Sequence, residues 1–119
     1  MIEVGDFVRT KQGKIAKLIE VSKNNYYWFD NWIYKESGIP HQGFRIEDTE
    51  RIGIVKHSKN IIDLLEEGDY VNLERILDIT EEYIRTTETI HNKSWLAKNI
   101  TSILTHELYK ANAYKVKGE

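Results

Sequence analysis

The chain contains one short stretch twice: residues 2–8 (IEVGDFV) return 63 positions later as residues 65–71 (LEEGDYV). Each copy has an apolar residue, an acidic turn that ends in Gly-Asp, and an aromatic residue followed by Val. Glycine permits the positive φ of a tight turn, and aspartate can hydrogen-bond the backbone beside it. The repeat therefore predicts two related β-modules, at residues 1–60 and 61–119.

A second pair of segments supports the repeat. Residues 54–58 (IVKHS) match residues 103–107 (ILTHE), which places His57 and His106 at equivalent junctions between a strand and a helix. At such a junction each histidine is expected to cap a helix or to hydrogen-bond a turn. With two copies only, the chain is not a solenoid.

Hydrophobic patterning predicts strands in the first half, with Ala16 and Leu18 on one face of a long hairpin strand. A two-turn helix is predicted over residues 60–67, with Ser58 as its N-cap and Gly68 at its end. The strands are predicted at residues 15–21, 26–34, 44–46 and 52–56.

The second half follows the same plan. Thr105 is expected to cap a short helix from His106 to about Asn112. Residues 66–85 also fit helical spacing, so a helix remains the alternative there, and the repeat favours strands. The predicted strands are residues 70–71, 73–79, 82–90, 99–104 and 114–116.

These patterns predict a mainly β (α+β) protein. Short strands joined by one-turn helices are typical of small SH3-like barrels. A chain of 119 residues is too short for two independent large cores, so the two modules are expected to pack together as one compact unit.

Composition narrows the class of protein. The formal charge is -2, cysteine is absent, and no apolar segment approaches the roughly 20 residues of a membrane-spanning helix. We expect a soluble cytoplasmic protein without a signal peptide. No strong catalytic motif occurs and the four histidines are widely spaced, so we expect no enzyme, no cofactor and no metal site.

An unusual aromatic segment spans residues 25–34. Its rings fall on both faces of the predicted strand, with Tyr27, Phe29 and Ile33 opposite the others. One face is expected to be core and the other to bind a partner, because Tyr and Trp are preferred interface anchors. Full burial and base stacking remain alternatives. The predicted partner-binding rings are Tyr26, Trp28, Trp32 and Tyr34.

Charge is unevenly distributed along the chain. Residues 61–90 hold nine acidic residues and two basic ones, and such a band can face the basic nucleic-acid channel of another protein. A simple solvated face is the alternative. The acids predicted to bind a partner are Glu74, Asp78, Glu81 and Glu82.

Basic residues of the first hairpin indicate a different function, with a simple solvated face as the alternative. Cations beside aromatic rings are what a nucleic-acid groove needs, for phosphate attraction and base stacking. The predicted nucleic-acid-binding residues are Arg9, Lys11, Lys14, Lys17 and Arg45.

Residues 55–72 (VKHSKNIIDLLEEGDYVN) and residues 100–109 (ITSILTHELY), with 114–116 (YKV), resemble small uncharacterised proteins of phages and prophages of low-GC Gram-positive bacteria. The resemblance implies a mobile genetic element as the source. It implies a non-enzymatic protein that binds and inhibits a host defence component in the bacterial cytoplasm, as anti-CRISPR proteins do with a Cas nuclease. The alternatives are a small-barrel nucleic-acid-binding accessory protein and a sponge for a nucleotide signal.

Overall fold

Two antiparallel sheets, each of five strands, are present in the computed structural model, which describes residues 1–116. The chain divides after Leu65, so that unit 1 is Met1–Leu65 and unit 2 begins at Glu66. The last three residues of the predicted second module, 117–119, lie outside the described residues. The prediction of a mainly β protein is confirmed.

Unit 1 is a meander of strands with one inserted hairpin. Its five-stranded sheet has the order β6-β3-β2-β1-β7, and β4 and β5 form a separate two-stranded hairpin. The strands are β1 (Phe7–Thr10), β2 (Ile15–Val21), β3 (Tyr26–Phe29), β4 (Tyr34–Glu36), β5 (Ile39–His41), β6 (Gly43–Arg45) and β7 (Ile54–Ser58). A 3₁₀ turn (Ile46–Asp48) and helix α1 (Thr49–Ile52) connect β6 to β7.

Alternation along the strands builds the core of unit 1 on one face of the sheet. Phe29 stacks on Phe44 with ring centroids 5.5 Å apart, and Tyr27 meets Phe44 edge-on at 5.7 Å. Val8, Ala16, Leu18 and Ile33 complete this cluster and are buried. The predicted inward face of the aromatic segment is therefore the core.

A second 3₁₀ turn (Ile61–Leu64) packs on β1 and β7, and Ile62, Leu64 and Leu65 are buried. Arg9 of β1 is fully buried and its Nη1 donates a hydrogen bond of 2.9 Å to the Leu64 carbonyl. The turn therefore supplies unit 1 with a second buried layer.

Unit 2 repeats the meander with fewer residues. Its sheet has the order β11-β10-β9-β8-β12. The elements are β8 (Tyr70–Val71), β9 (Glu74–Ile79), β10 (Tyr83–Thr86), β11 (Ile90–Asn92), α2 (Lys93–Ala97), β12 (Ile103–Leu104) and α3 (His106–Asn112).

The two units share one topology. In each, four strands form a meander, a helical segment follows the fourth, and the fifth strand returns to pair with the first. The predicted repeat thus corresponds to two copies of the same strand order. The outer strands of each sheet do not pair, and no closed barrel is present in the described residues.

Several element boundaries differ from prediction because polar side chains compete with the strand ladder. The predicted strand over residues 26–34 breaks after Phe29, where Asp30 Oδ1 accepts from Lys17 N and Asn31 Oδ1 accepts from Trp32 N. The predicted strand over residues 82–90 breaks at Thr86, whose Oγ1 accepts from two following backbone N–H groups.

Helix ends follow the available caps. The predicted helix over residues 60–67 is the 3₁₀ turn Ile61–Leu64 with Asn60, not Ser58, as N-cap, because the Asn60 side chain accepts from Ile62 N. Asn92 caps helix α2, and its side chain accepts hydrogen bonds from Ser94 N and Trp95 N. Helix α3 starts and ends as predicted, and Thr105 Oγ1 accepts from Leu108 N. Residues 114–116 form no strand.

Candidate binding surfaces

One buried aspartate closes the acidic turn of each unit. Asp6 Oδ2 accepts a hydrogen bond of 3.0 Å from Glu3 N, and Asp69 Oδ2 accepts one of 2.8 Å from Glu66 N. Both aspartates are buried, and the adjacent glycines have φ of 95° and 91°. The repeated stretch therefore encodes the same local structure twice, with glycine required at each positive φ.

The groups that contact each aspartate differ. Lys59 Nζ lies 2.8 Å from Asp6 Oδ1, and His57 Nδ1 lies 3.2 Å from Oδ2. The hydrogen bond from Lys59, with that from Glu3 N, lowers the pKa of Asp6 to about 2. In unit 2 the Asp69 Oδ1 accepts from His106 N at 2.9 Å.

The predicted equivalence of His57 and His106 is wrong. In unit 1 Val8 pairs with His57, and in unit 2 the corresponding Val71 pairs with Ile103. The residue of unit 2 that corresponds to His57 is therefore Ile103, not His106. His57 lies inside β7 and His106 begins α3. Each histidine nevertheless contacts the aspartate of its own acidic turn, His57 through its ring Nδ1 and His106 through its backbone N–H.

Asp6→Asn is expected to reduce the acid sensitivity of unit 1. A pKa of about 2 in the folded protein, against 3.8 ordinarily, means that ionised Asp6 stabilises the fold above pH 3.8. That contribution is lost as the pH falls from 3.8 through about 2. Urea unfolding followed across this pH range, in a Trp95→Phe background that leaves Trp28 and Trp32 as reporters in unit 1, measures it. The exposed Glu20→Gln is the control, and an identical pH dependence in wild type and Asp6→Asn contradicts the assignment.

A polar cluster of Glu74, Thr86 and His91 lies in the sheet of unit 2. Thr86 Oγ1 donates to Glu74 Oε1 at 2.6 Å, and His91 Nε2 lies 3.0 Å from the same oxygen. The hydrogen bonds from Thr86 and then His91 lower the pKa of Glu74. The ring of Trp95, half exposed, stacks on His91 at 5.5 Å.

Strand register shows what this cluster replaces. In unit 1, Val8 pairs with Ala16 and Leu18 pairs with Phe29. At the corresponding places of unit 2, Val71 pairs with Glu74 and Ile76 pairs with Thr86. Glu74 therefore corresponds to Ala16, and Thr86 corresponds to Phe29. By the same register Phe44 corresponds to His91. Core positions that are apolar in unit 1 are thus polar in unit 2. Thr86 and His91 were not predicted as a site, although aligning the two copies strand by strand would have singled them out.

An aromatic and cationic surface lies on unit 1 around Trp32. Lys14 Nζ lies 4.2 Å from the ring centroid of Trp32, and Lys35 Nζ lies 4.7 Å from it. Both distances are in the range of cation–π contacts. Partial burial lowers the pKa of Lys14. Lys35, three residues after Trp32 in the chain, was not predicted as part of this surface.

Tyr34 extends this surface. Its ring stacks on His41 at 4.6 Å, since β4 and β5 pair these two residues directly. The guanidinium of Arg51 lies 5.8 Å from the Tyr34 ring, and its hydrogen bond with Tyr34 raises the pKa of Arg51. We call Lys14, Trp32, Tyr34, Lys35, His41 and Arg51 the cationic aromatic surface.

Tyr26 and Trp28 form a separate pair on β3, with ring centroids 4.9 Å apart. Trp28 pairs with Gly43 across the sheet, and a Cβ at residue 43 would clash with the Tyr26 ring. Trp28 is 42% exposed, so this ring is available to a partner.

One of the five predicted nucleic-acid-binding residues does not lie on the surface. Arg9 is buried beneath the 3₁₀ turn Ile61–Leu64 and cannot contact nucleic acid, which corrects its placement on the hairpin surface. Lys11, Lys17 and Arg45 are exposed, and Lys17 Nζ lies 5.6 Å from the ring of Phe7.

The predicted acidic set divides in a similar way. Glu81 and Glu82 are exposed at the tip of the β9–β10 hairpin, whereas Asp78 is half-buried and Glu74 belongs to the polar cluster. The tip is held by Thr80, which donates its N–H to the Tyr83 carbonyl at 2.9 Å and accepts from Tyr83 N at 3.0 Å. Tyr83 and Ile90 are exposed beside it. We call Glu81, Glu82, Tyr83 and Ile90 the acidic hairpin surface.

Comparison with known proteins finds no matching family, curated sequence or solved structure. Among residues 1–116, no helix has both the length and the apolar character needed to cross a membrane. The residues that can bind a partner are therefore those of the cationic aromatic surface and of the acidic hairpin surface.

Proposed function

We propose that the protein is a non-enzymatic binding protein, built of two SH3-like modules, that inhibits a bacterial defence component by direct contact. The shared five-strand order, with a helical segment before the fifth strand, supports the SH3-like interpretation of both units. Because of the resemblance to phage proteins, a host defence protein is the partner to test first.

The observation that carries this proposal is the acidic hairpin surface. Two adjacent carboxylates project from a hairpin tip that three hydrogen bonds of Thr80 hold in one conformation. An exposed tyrosine, 45% accessible, begins β10, and an exposed isoleucine, 60% accessible, begins the neighbouring strand β11. A rigid tip with charge and an aromatic anchor suits a basic protein surface, such as the nucleic-acid channel of a nuclease.

Reversing the charge of this tip is expected to weaken binding. Glu81→Lys/Glu82→Lys should lower affinity for the captured partner by about tenfold or more, because like charges then meet across the interface. The measurement is capture from Gram-positive host lysate with and without nuclease treatment, followed by titration of the identified protein. Glu20→Lys/Glu47→Lys makes the same change in net charge on exposed residues of unit 1 and is the matched control.

Unchanged affinity in the hairpin variant, or an equal loss in the control, removes the acidic hairpin surface from the interface. Circular dichroism shows whether each variant is folded.

A second candidate function has its own observation, the cationic aromatic surface of unit 1. Cations held against Trp32 and Tyr34 can attract phosphate groups, as a nucleic-acid-binding accessory protein or a nucleotide sponge requires. If this function is correct, nuclease treatment removes the captured partner, and the affinity for nucleic acid falls steeply with salt. The double variant Trp32→Ala/Lys14→Ala then abolishes nucleic-acid binding, whereas Glu81→Lys/Glu82→Lys does not.

A further inference from the structure

The turn between β8 and β9 holds Leu73 in a strained backbone conformation. Val71 pairs with Glu74, so Asn72 and Leu73 form a two-residue turn, and their φ values of 50° and 69° are both left-handed. Asparagine tolerates this conformation, whereas the side chain of a leucine is crowded there by its own backbone. Glycine is the usual second residue of such a turn. Leu73 is therefore an unfavourable residue for the backbone that it occupies.

The side chain of Asn72 fixes this turn to the segment that precedes β12. Its Oδ1 accepts hydrogen bonds from Thr101 N at 2.7 Å, from Thr101 Oγ1 at 2.9 Å and from Ser102 N at 3.3 Å. Its Nδ2 donates to the Asn99 carbonyl at 2.9 Å, and its backbone N–H donates to the Ser102 carbonyl at 2.9 Å. A strained conformation persists where the surrounding structure fixes it, so these contacts hold Leu73 in place.

The side chain of Leu73 is 87% exposed. An apolar side chain in solvent contributes little burial to the stability of its own chain, and the strained backbone lowers that stability further. Residues that break a local rule of folding in this way are typical of sites where function requires them. Leu73 therefore suits a contact with another molecule.

An apolar cavity of about 210 Å³ adjoins Leu73. The rings of Tyr70 and Tyr109 stack in it with their centroids 5.2 Å apart, and Leu104 and Tyr109 are 40% and 51% exposed. Since a cavity of about 150 Å³ holds a benzene-sized molecule, this one can hold a leucine side chain. The residues that line it are Tyr70, Leu73, Ser102, Ile103, Leu104 and Tyr109.

Charged side chains of both signs adjoin the same apolar surface. Tyr70 and Tyr109 also line a polar depression that contains the exposed Glu67, Arg75 and Lys110. A surface with charges of one sign repels a copy of itself, whereas charges of both signs allow each to face its opposite on a second copy. The charges are thus complementary to a second copy of this surface, as the projecting leucine is to the cavity.

We propose that unit 2 binds a second copy of this chain through this surface, with Leu73 of each copy in the cavity of the other. A two-fold axis gives every residue of the surface the same surroundings in both copies, as a closed dimer requires. The surface is small, so the dimer is transient. The acidic hairpin surface and the cationic aromatic surface take no part in it, and the proposal is independent of the function proposed above.

Sedimentation velocity of the full chain, from about 1 μM to about 1 mM, tests this association, because dimers with small interfaces dissociate in that range. We expect a reversible equilibrium whose limiting mass is twice that of the 14.0 kDa chain. Leu73→Gly and Leu73→Asn both remove the apolar side chain and accept a positive φ, so each should weaken dimerisation by about tenfold or more. Ile39→Asn is the matched control, since Ile39 is 61% exposed in unit 1, and it should dimerise as wild type does.

Thermal unfolding at low protein concentration separates association from a structural role of Leu73. Leu73→Gly should raise the Tm of the monomer, because glycine relieves the strain at this positive φ. In a dilution series, the NMR signals of Leu73, Leu104 and Tyr109 should move together with the fraction of dimer.

Five results would each overturn the proposal: a wild-type chain that stays monomeric throughout the range, oligomers larger than a dimer, unchanged dimerisation in both Leu73 variants, an equal loss in Ile39→Asn, or a lower Tm for Leu73→Gly. A monomeric wild type whose capture of a host protein is lost in Leu73→Asn would assign the surface to that host protein instead of a second copy.

Discussion

Arg9→Ala is expected to destabilise unit 1 by about 3–5 kcal/mol, from lost packing of the side chain and an unpaired carbonyl. Arg9 is fully buried and its Nη1 donates to the Leu64 carbonyl at 2.9 Å. The two residues are 55 positions apart, so this hydrogen bond connects the first strand to the closing 3₁₀ turn. Loss of the arginine leaves a cavity between them.

Urea unfolding in the Trp95→Phe background measures this change in the free energy of unfolding. Arg9→Met retains the length of the side chain and should cost clearly less than Arg9→Ala, because packing is partly kept. Lys17→Ala, on the exposed side of the same hairpin, is the control and should change stability by less than about 0.5 kcal/mol. A similarly small effect of Arg9→Ala would show that Arg9 is a surface residue after all.

Asp69→Ala is expected to destabilise unit 2 by about 2–4 kcal/mol, because two backbone N–H groups lose their acceptor together. Those groups belong to Glu66 and His106, and they join the acidic turn to the start of α3. Unit 2 has fewer large apolar side chains to compensate, since Glu74, Thr86 and His91 replace core positions of unit 1. Its stability should therefore depend more on hydrogen bonds of this kind.

Trp95 fluorescence, in a Trp28→Phe/Trp32→Phe background, reports the unfolding of unit 2. Asp69→Asn keeps one acceptor oxygen and should fall between wild type and Asp69→Ala. Glu67→Ala changes an exposed residue of the same turn and is the matched control, with an expected change within about 0.5 kcal/mol. Equal stability of Asp69→Ala and Glu67→Ala would remove the structural role of the aspartate.

Local signals in the sequence predicted the parts of the fold that local interactions decide. The Gly-Asp stretches marked both acidic turns, the Thr105 cap located α3, and the repeat favoured strands over a helix in residues 66–85, as β8, β9 and β10 confirm. The inward face of the aromatic segment was also correct, since Tyr27, Phe29 and Ile33 are buried. Apart from the repeat, each of these signals arises from residues within one turn or one strand.

Tertiary structure decided the rest, because burial and contact depend on residues far away in the chain. Strand alternation places Arg9 on the face of β1 opposite the core and therefore predicts that it is exposed. Arg9 is buried instead, because the 3₁₀ turn of residues 61–64 covers that face. Glu74 looks like part of an acidic surface until the register of β9, β10 and β11 brings Thr86 and His91 to it. Sequence by itself thus determined a repeated β-module with two acidic turns, whereas long-range pairing decided which charged side chains are buried and which meet aromatic rings.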